Sequence, residues 1–175
     1  MCSHEMFFDC PYYEQLMYVG DSRLEALTTY VVAHDARLPR KALAMFDASR
    51  VNSRGLTLAN YPNAWAQVIP PFSVLWTLMV HDYALWRGDR AFVQSLMPGV
   101  RSVLETFAAS RNADGLIPAP DGWNFMDWVP EWKDPTQSRN WGMPPGADLG
   151  VNGLLQWLVV LALAKLADVE TWLGE

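Results

Sequence analysis

Apolar positions recur at helical spacing along most of the chain. Over Arg23 to Ala36, Leu24, Leu27, Val31 and Val32 follow a helical spacing, and Asp21 or Ser22 stands where an N-terminal cap belongs, which predicts a first helix. The pattern repeats over Leu38 to Val51, with Pro39 in the first turn, Leu43, Met45 and Phe46 inward, and Asn52-Ser53-Arg54-Gly55 as the stop. Residues 56 to 71 contain Asn60-Tyr61-Pro62 and Pro70-Pro71, so they read as a long loop, because proline fixes φ and removes a donor. Phe72 to Arg87 is apolar almost all round, as in a helix buried on several sides. Gly88-Asp89 closes it and caps an amphipathic helix, Arg90 to Ala109, which is expected to bend near Pro98-Gly99.

Residues 110 to 145 form a Gly-, Pro- and Asp-rich loop holding Trp123, Trp128, Trp132 and Trp141. A long aromatic loop inside a compact domain is more often functional than filler. A last strongly apolar helix or helix pair is expected from Ala147 to Leu173, and only Leu116-Ile117-Pro118 and Asn124-Phe125 suggest short extended pieces. The fold class is therefore all-α. Apolar helices alternating with amphipathic ones, joined by short turns and long loops, suggest a helical toroid with inner and outer layers.

With 51% hydrophobic and 18% charged residues over 175 positions, the chain is of a size and composition to fold as a single domain. A net charge of -6 with scattered basic residues gives no footprint for a phosphate backbone, so nucleic acid is not an expected partner. The most apolar run, Leu154 to Ala164, is far short of the roughly 20 residues needed to cross a bilayer, and no membrane partner is expected. Met1 to Glu5 lacks the basic and apolar regions of a secretory leader, and two cysteines are too few for a disulfide scaffold, so a cytoplasmic setting is expected. A bridge between Cys2 and Cys10 is not expected.

Ionisable and aromatic groups crowd together near the start: Glu5, Asp9, Glu14 and Asp21 among Phe7, Phe8, Tyr12, Tyr13 and Tyr18. Buried charge is costly unless paired, so a cleft suits this mixture better than a core. Partial burial against aromatics raises a carboxyl pKa, the usual route to a general acid, and paired carboxylates serve glycoside hydrolysis. On spacing alone, a second reading stands beside it, with Asp9 and Asp21 capping helices and Glu5 and Glu14 solvated. His4, His34 and His81, like Cys2 and Cys10, lack metal-ligand spacing, so no metal is expected, and His81-Asp82 reads as a core pair. Without a phosphate-cradling glycine loop or a Gly-x-Ser-x-Gly elbow, no nucleotide cofactor or serine hydrolase is expected.

Three blocks together, Cys2-Ser3-His4-Glu5, Asp9-Cys10-Pro11-Tyr12-Tyr13-Glu14-Gln15-Leu16 and Tyr18-Val19-Gly20-Asp21-Ser22-Arg23, resemble the acidic signature that opens the catalytic helical barrel of α-L-rhamnosidases, glycoside hydrolase family 78. Gln67 to Ser73, His81-Asp82-Tyr83 and Arg87-Gly88-Asp89 follow in the family's order. The resemblance implies an (α/α)6 barrel, of which residues 1–175 would be the N-terminal half, and inverting hydrolysis of terminal α-L-rhamnosyl groups. It implies Glu14 as general acid, Asp9 and Asp21 as holders of sugar hydroxyls, and Asp127 and Trp128 as contacts from a loop over the pocket. Trp123 is expected to stack on the sugar, because an indole face suits the C–H face of a pyranose.

The general base of the family lies well downstream, so it is expected outside this chain. Many relatives carry an Arg-Asp pair where Tyr12-Tyr13 stands, which leaves sugar preference open. Carbohydrate is the expected partner. An open half-barrel would also expose the inner faces of helices such as Phe72 to Arg87 and drive self-association. A related toroid glycosidase or lyase, and a non-catalytic carbohydrate-binding or scaffold fragment, are the alternatives.

Overall fold

The computed structural model describes residues 3–50, 55–132, 141–147 and 150–175. Among them are five α-helices, α1 (Val19–Val32), α2 (Arg37–Ser49), α3 (Pro70–Arg87), α4 (Arg90–Ala109) and α5 (Gly153–Leu173), with no strand beyond isolated bridges. The central helix is α3, packed between α1 and α5, while α2 and α4 touch each other and cover α3 from one side. The helices thus fall into two rows, α1, α3 and α5 in one and α2 and α4 in the other. No described helix is long and apolar enough to cross a membrane.

Helix α3 is central because it is apolar all round. Val74, Trp76, Met79 and Val80 are wholly buried, and the Trp76 indole donates to the Leu43 carbonyl at 3.2 Å, tying α3 to α2. Pro70 and Pro71, expected in the preceding loop, instead occupy its first turn, where a missing N–H is harmless, and Gly88 ends it at φ 62. Asp89 then caps α4, accepting from the Phe92 amide at 3.2 Å. The bend expected near Pro98-Gly99 does not end α4, which runs as one helix through Pro98. Gly99 marks a close crossing, where a Cβ would meet the side-chain ends of Asp47 and Arg50 at the α2 end.

The first helix differs most from its expected form. It starts at Val19, with Tyr18 at the N-cap and no capping side chain, so neither Asp21 nor Ser22 caps it. Pairing upstream explains the early start: Tyr61 N–H donates to Met17 at 3.2 Å and Val19 N–H to Ala59 at 2.9 Å, delivering the chain into the helix. The buried positions are Val19, Ser22, Ala26 and Tyr30, whereas Leu24, Val31 and Val32, expected inward, are exposed and Leu27 is half-buried. Small side chains let α1 approach α3. Gly20 lies so near the Phe72 ring that a Cβ would stand 2.9 Å from it.

Helix α2 has Leu43 and Phe46 buried and Met45 packed against the core, as expected. Val51 and the stop at 52–54 lie outside the described residues, as does Cys2. The last element is a single helix, α5, capped by Asn152, which accepts from Leu154 N–H at 3.0 Å. Residues 110 to 129 follow an irregular path held by specific bonds. Gln156, the polar break in the apolar run, receives Ile117 N–H at 3.0 Å and donates to the Ile117 carbonyl at 2.8 Å. Pro118 makes a bridge with Val151, but Asn124-Phe125 forms no extended pair.

Exposed apolar surface lies mainly on α1 and α5, not on α3 as the open-barrel reading expects. Trp157, Val160, Leu161 and Leu163 of α5 face outward, while α3 exposes only Leu85 and Trp86 among its large apolar side chains. The central helix is covered by its neighbours; the two flanking helices are not.

Candidate functional site

The residues expected at the site approach it from three segments. The first, residues 9–16, is closed on itself: Asp9 N–H donates to the Leu16 carbonyl at 3.0 Å, and Asp9 Oδ1 accepts from Leu16 N–H at 3.0 Å. Asp9 therefore closes a loop and caps no helix. Gln15, at φ 50, is the one described non-glycine residue with positive φ and turns the chain directly after Glu14, while its amide donates to the Pro11 carbonyl at 2.9 Å. Phe7, fully buried, roots this segment in the core.

The second segment is the first turn of α1, carrying Asp21, and the third is the tryptophan loop. Trp123 N–H donates to Val68 at 3.0 Å and its indole to the Trp141 carbonyl at 3.1 Å, while Met126 N–H donates to Gly142 at 2.8 Å. Gly122 has φ 126, and a Cβ there would stand 2.7 Å from the Val68 carbonyl oxygen, so glycine alone lets the loop lie against the start of α3. Trp123, Phe125 and Trp128 then pack as an aromatic cluster with ring centroids 4.8 to 5.8 Å apart, and Phe72 of α3 meets Phe125 at 5.8 Å.

These segments enclose a cavity of about 100 Å³ with Asp9, Glu14 and Asp21 on one side and Trp123, Phe125 and Trp128 on the other; Tyr18, Ile69 and Phe72 complete its lining. A second cavity of about 240 Å³ shares Asp21, Phe72, Phe125 and Trp128 with it and adds Asp127, Arg23 and Leu24 among others. Five of the six expected site residues thus border one pocket. Asp127 faces the adjoining one, with Oδ1 accepting from Trp128 N–H at 2.7 Å.

The pKa values of Asp21 and Glu14 shift in opposite directions. Burial raises the Asp21 pKa, helped by the negative fields of Asp9, Glu14 and Asp127. Glu14 does not follow the expectation that burial lifts a general acid. It is exposed, and its pKa is lowered, first by the thiol of Cys10, which donates to Oε2 at 2.7 Å, and then by its own backbone N–H. Tyr18 is raised by burial and by Asp9.

Two neighbours escaped the sequence reading. Glu25, one helical turn after Asp21, has its Oε2 buried with no hydrogen-bond partner, and its pKa rises to about 7 through burial and the charges of Asp21 and Asp9. The i, i+4 spacing from Asp21 was the available clue. Arg23 bonds Asp82 Oδ2 at 2.7 Å while His81 Nδ1 lies 3.3 Å from Oδ1, so the expected His81-Asp82 pair is a triad joining α1 to α3. Ligand atoms of Asp9, Cys10 and Glu14 lie within 4.8 Å of one another, a grouping that the linear spacing of cysteine and histidine does not reveal.

Residues 1–142 match the family model described as the bacterial alpha-L-rhamnosidase 6 hairpin glycosidase domain. The chain is similar to a GH78 family rhamnosidase of Bacillus sp. GL1, with 29% identity and a TM-score of 0.83 over 99% of this chain and 17% of that one. It also shares its fold with a rhamnosidase from Klebsiella oxytoca solved with rhamnose bound, at 24% identity and a TM-score of 0.74 over 99% of this chain and 31% of that one. The chain thus spans less than a third of either relative's length. No curated protein sequence matches it.

Proposed function

Because the chain belongs to the bacterial α-L-rhamnosidase six-hairpin glycosidase family, we propose that its pocket receives a terminal α-L-rhamnosyl group for inverting hydrolysis. The observation that carries this reading is the convergence of Asp9, Glu14 and Asp21 with Trp123 and Trp128 around one cavity. Three acidic groups facing an aromatic wall form a sugar-binding arrangement, in which carboxylates accept hydroxyl hydrogen bonds and indoles cover the C–H face. Asp9 and Asp21 hold hydroxyls, with Asp127 and Trp128 guarding the adjoining opening.

Glu14 is the proposed general acid, protonating the glycosidic oxygen as the sugar departs. Its resting pKa is lowered, so the proton is retained only once substrate has displaced water and the pocket's negative field acts on a desolvated carboxyl. The base must stand roughly 6.5 to 9.5 Å from the acid to leave room for water. Asp9 is unsuited to that role, since its oxygen approaches Glu14 to within 4.8 Å. Residues 1–175 are accordingly proposed as part of a catalytic domain whose base comes from further along the barrel.

The ionised resting state of Glu14 also favours a second reading, carbohydrate binding without turnover by these residues alone. Release of p-nitrophenol from an aryl α-L-rhamnoside, by a polypeptide that includes the downstream part of the barrel, separates the two. Hydrolysis abolished by Glu14→Gln with sugar binding retained supports the assignment; unchanged hydrolysis in the variant rejects Glu14 as the acid.

A further inference from the structure

Glu14 is held at two points by one side chain. The Cys10 thiol donates to Glu14 Oε2 at 2.7 Å, and the Cys10 sulfur accepts from Glu14 N–H at 3.2 Å. The contact spans a single turn inside the segment that Asp9 and Leu16 close, so both partners sit on a backbone fixed from outside the pair. Asp9 Oδ1 accepts from Leu16 N–H, and the Asp9 side chain acts on Glu14 less than the thiol, which is the principal partner of the carboxyl.

We propose that Cys10 is the positioning residue for Glu14: it fixes the rotamer of the carboxyl, and it keeps Oε2 turned to the thiol so that Oε1 is the oxygen offered to the pocket. A thiol is both a weak donor and a weak acceptor. It can donate to the ionised carboxylate of the empty site and accept from the protonated acid, so one contact serves both protonation states without moving Glu14. The thiol favours the ionised form, but a lysine or arginine in its place, fully charged and without an acceptor, would oppose protonation of Glu14 more strongly. The inference rests on the reading of Glu14 as the acid for its functional meaning, but its physical content does not depend on turnover.

The lowered Glu14 pKa has the thiol bond as its largest cause, which provides a readout that a merely structural residue would not move. The experiment is a carbon-13 titration of the Glu14 side-chain carboxyl in the wild-type chain, Cys10→Ala and Cys10→Ser, with amide spectra outside residues 9–16 confirming an unchanged fold. The wild-type midpoint is expected below that of an ordinary glutamate, Cys10→Ala is expected to move it upward, and Cys10→Ser, which keeps a donor and an acceptor, is expected to restore it. A parallel titration with L-rhamnose tests the pocket separately: absence of binding beside a Cys10-dependent midpoint rejects the proposed function and leaves the positioning role standing. A wild-type midpoint at or above the ordinary glutamate value, or the same midpoint in wild type and Cys10→Ala, overturns the proposal.

Discussion

Glu25 couples the acidity of the site to the stability of the fold in a way that can be measured without any ligand. Its pKa rises from 4.5 to about 7, first through burial and then through Asp21 and Asp9. Between those values the folded chain binds more protons than the unfolded one, so stability falls as pH rises through this window and levels off above it. At about 1.4 kcal/mol per unit, the shift has an upper bound of about 3.4 kcal/mol. Glu25 is only half-buried, so solvent screening reduces this to roughly 1.5 kcal/mol. Glu25→Gln removes the charge and keeps the shape. The variant is therefore expected to match wild type at pH 4.5 and to exceed it by roughly 1.5 kcal/mol at pH 8, or about 3 to 6 °C in Tm for a domain of this size. Urea unfolding at the two pH values reads the difference directly. A gap of equal size at both, or a less stable variant at pH 8, would refute the argument that burial near Asp21 and Asp9 keeps this carboxyl protonated.

Two further substitutions test the supports of the site. Arg23→Met leaves Asp82 buried with only His81 beside it and should cost about 2 to 3 kcal/mol in urea unfolding, most of it recovered when Asp82→Leu is added. Gly122→Ala forces a Cβ against the Val68 carbonyl at positive φ, an expected cost of about 1 to 3 kcal/mol. It should also shift the Trp123 indole resonance while leaving that of Trp76 in place; an unmoved Trp123 signal would mean that the loop tolerates the change.

Much of the helical layout is legible because its punctuation is local. Pro39 in the first turn of α2 and Gly88-Asp89 between α3 and α4 act through φ restriction and capping within a few residues, whereas Pro70-Pro71, read as loop, opens α3, because proline is as compatible with a helix's first turn as with a loop. The inward face of α1 was not legible, because its apolar positions and its buried positions differ. Ser22 and Ala26 are buried by the closeness of α3, a tertiary fact, whereas Leu24, Val31 and Val32 remain outside it. At the site, Asp9, Glu14 and Asp21, grouped by the resemblance of the opening motif, line one cavity. The resemblance could not supply the hydrogen-bond partner that reverses the expected shift of Glu14, because a thiol four residues away counts only once residues 10–14 turn back on themselves.

One pocket, walled by Trp123 and Trp128 and lined by carboxyls, is proposed to receive rhamnose. Titration of the nitrogen-15-labelled chain with L-rhamnose tests this, following the tryptophan indole resonances in wild type and Asp21→Asn. Saturable shifts of Trp123 and Trp128, weakened in Asp21→Asn and absent from the outward-facing Trp157, are the expected result. No saturable shift at either tryptophan, or shifts that Asp21→Asn leaves unchanged, would contradict the account.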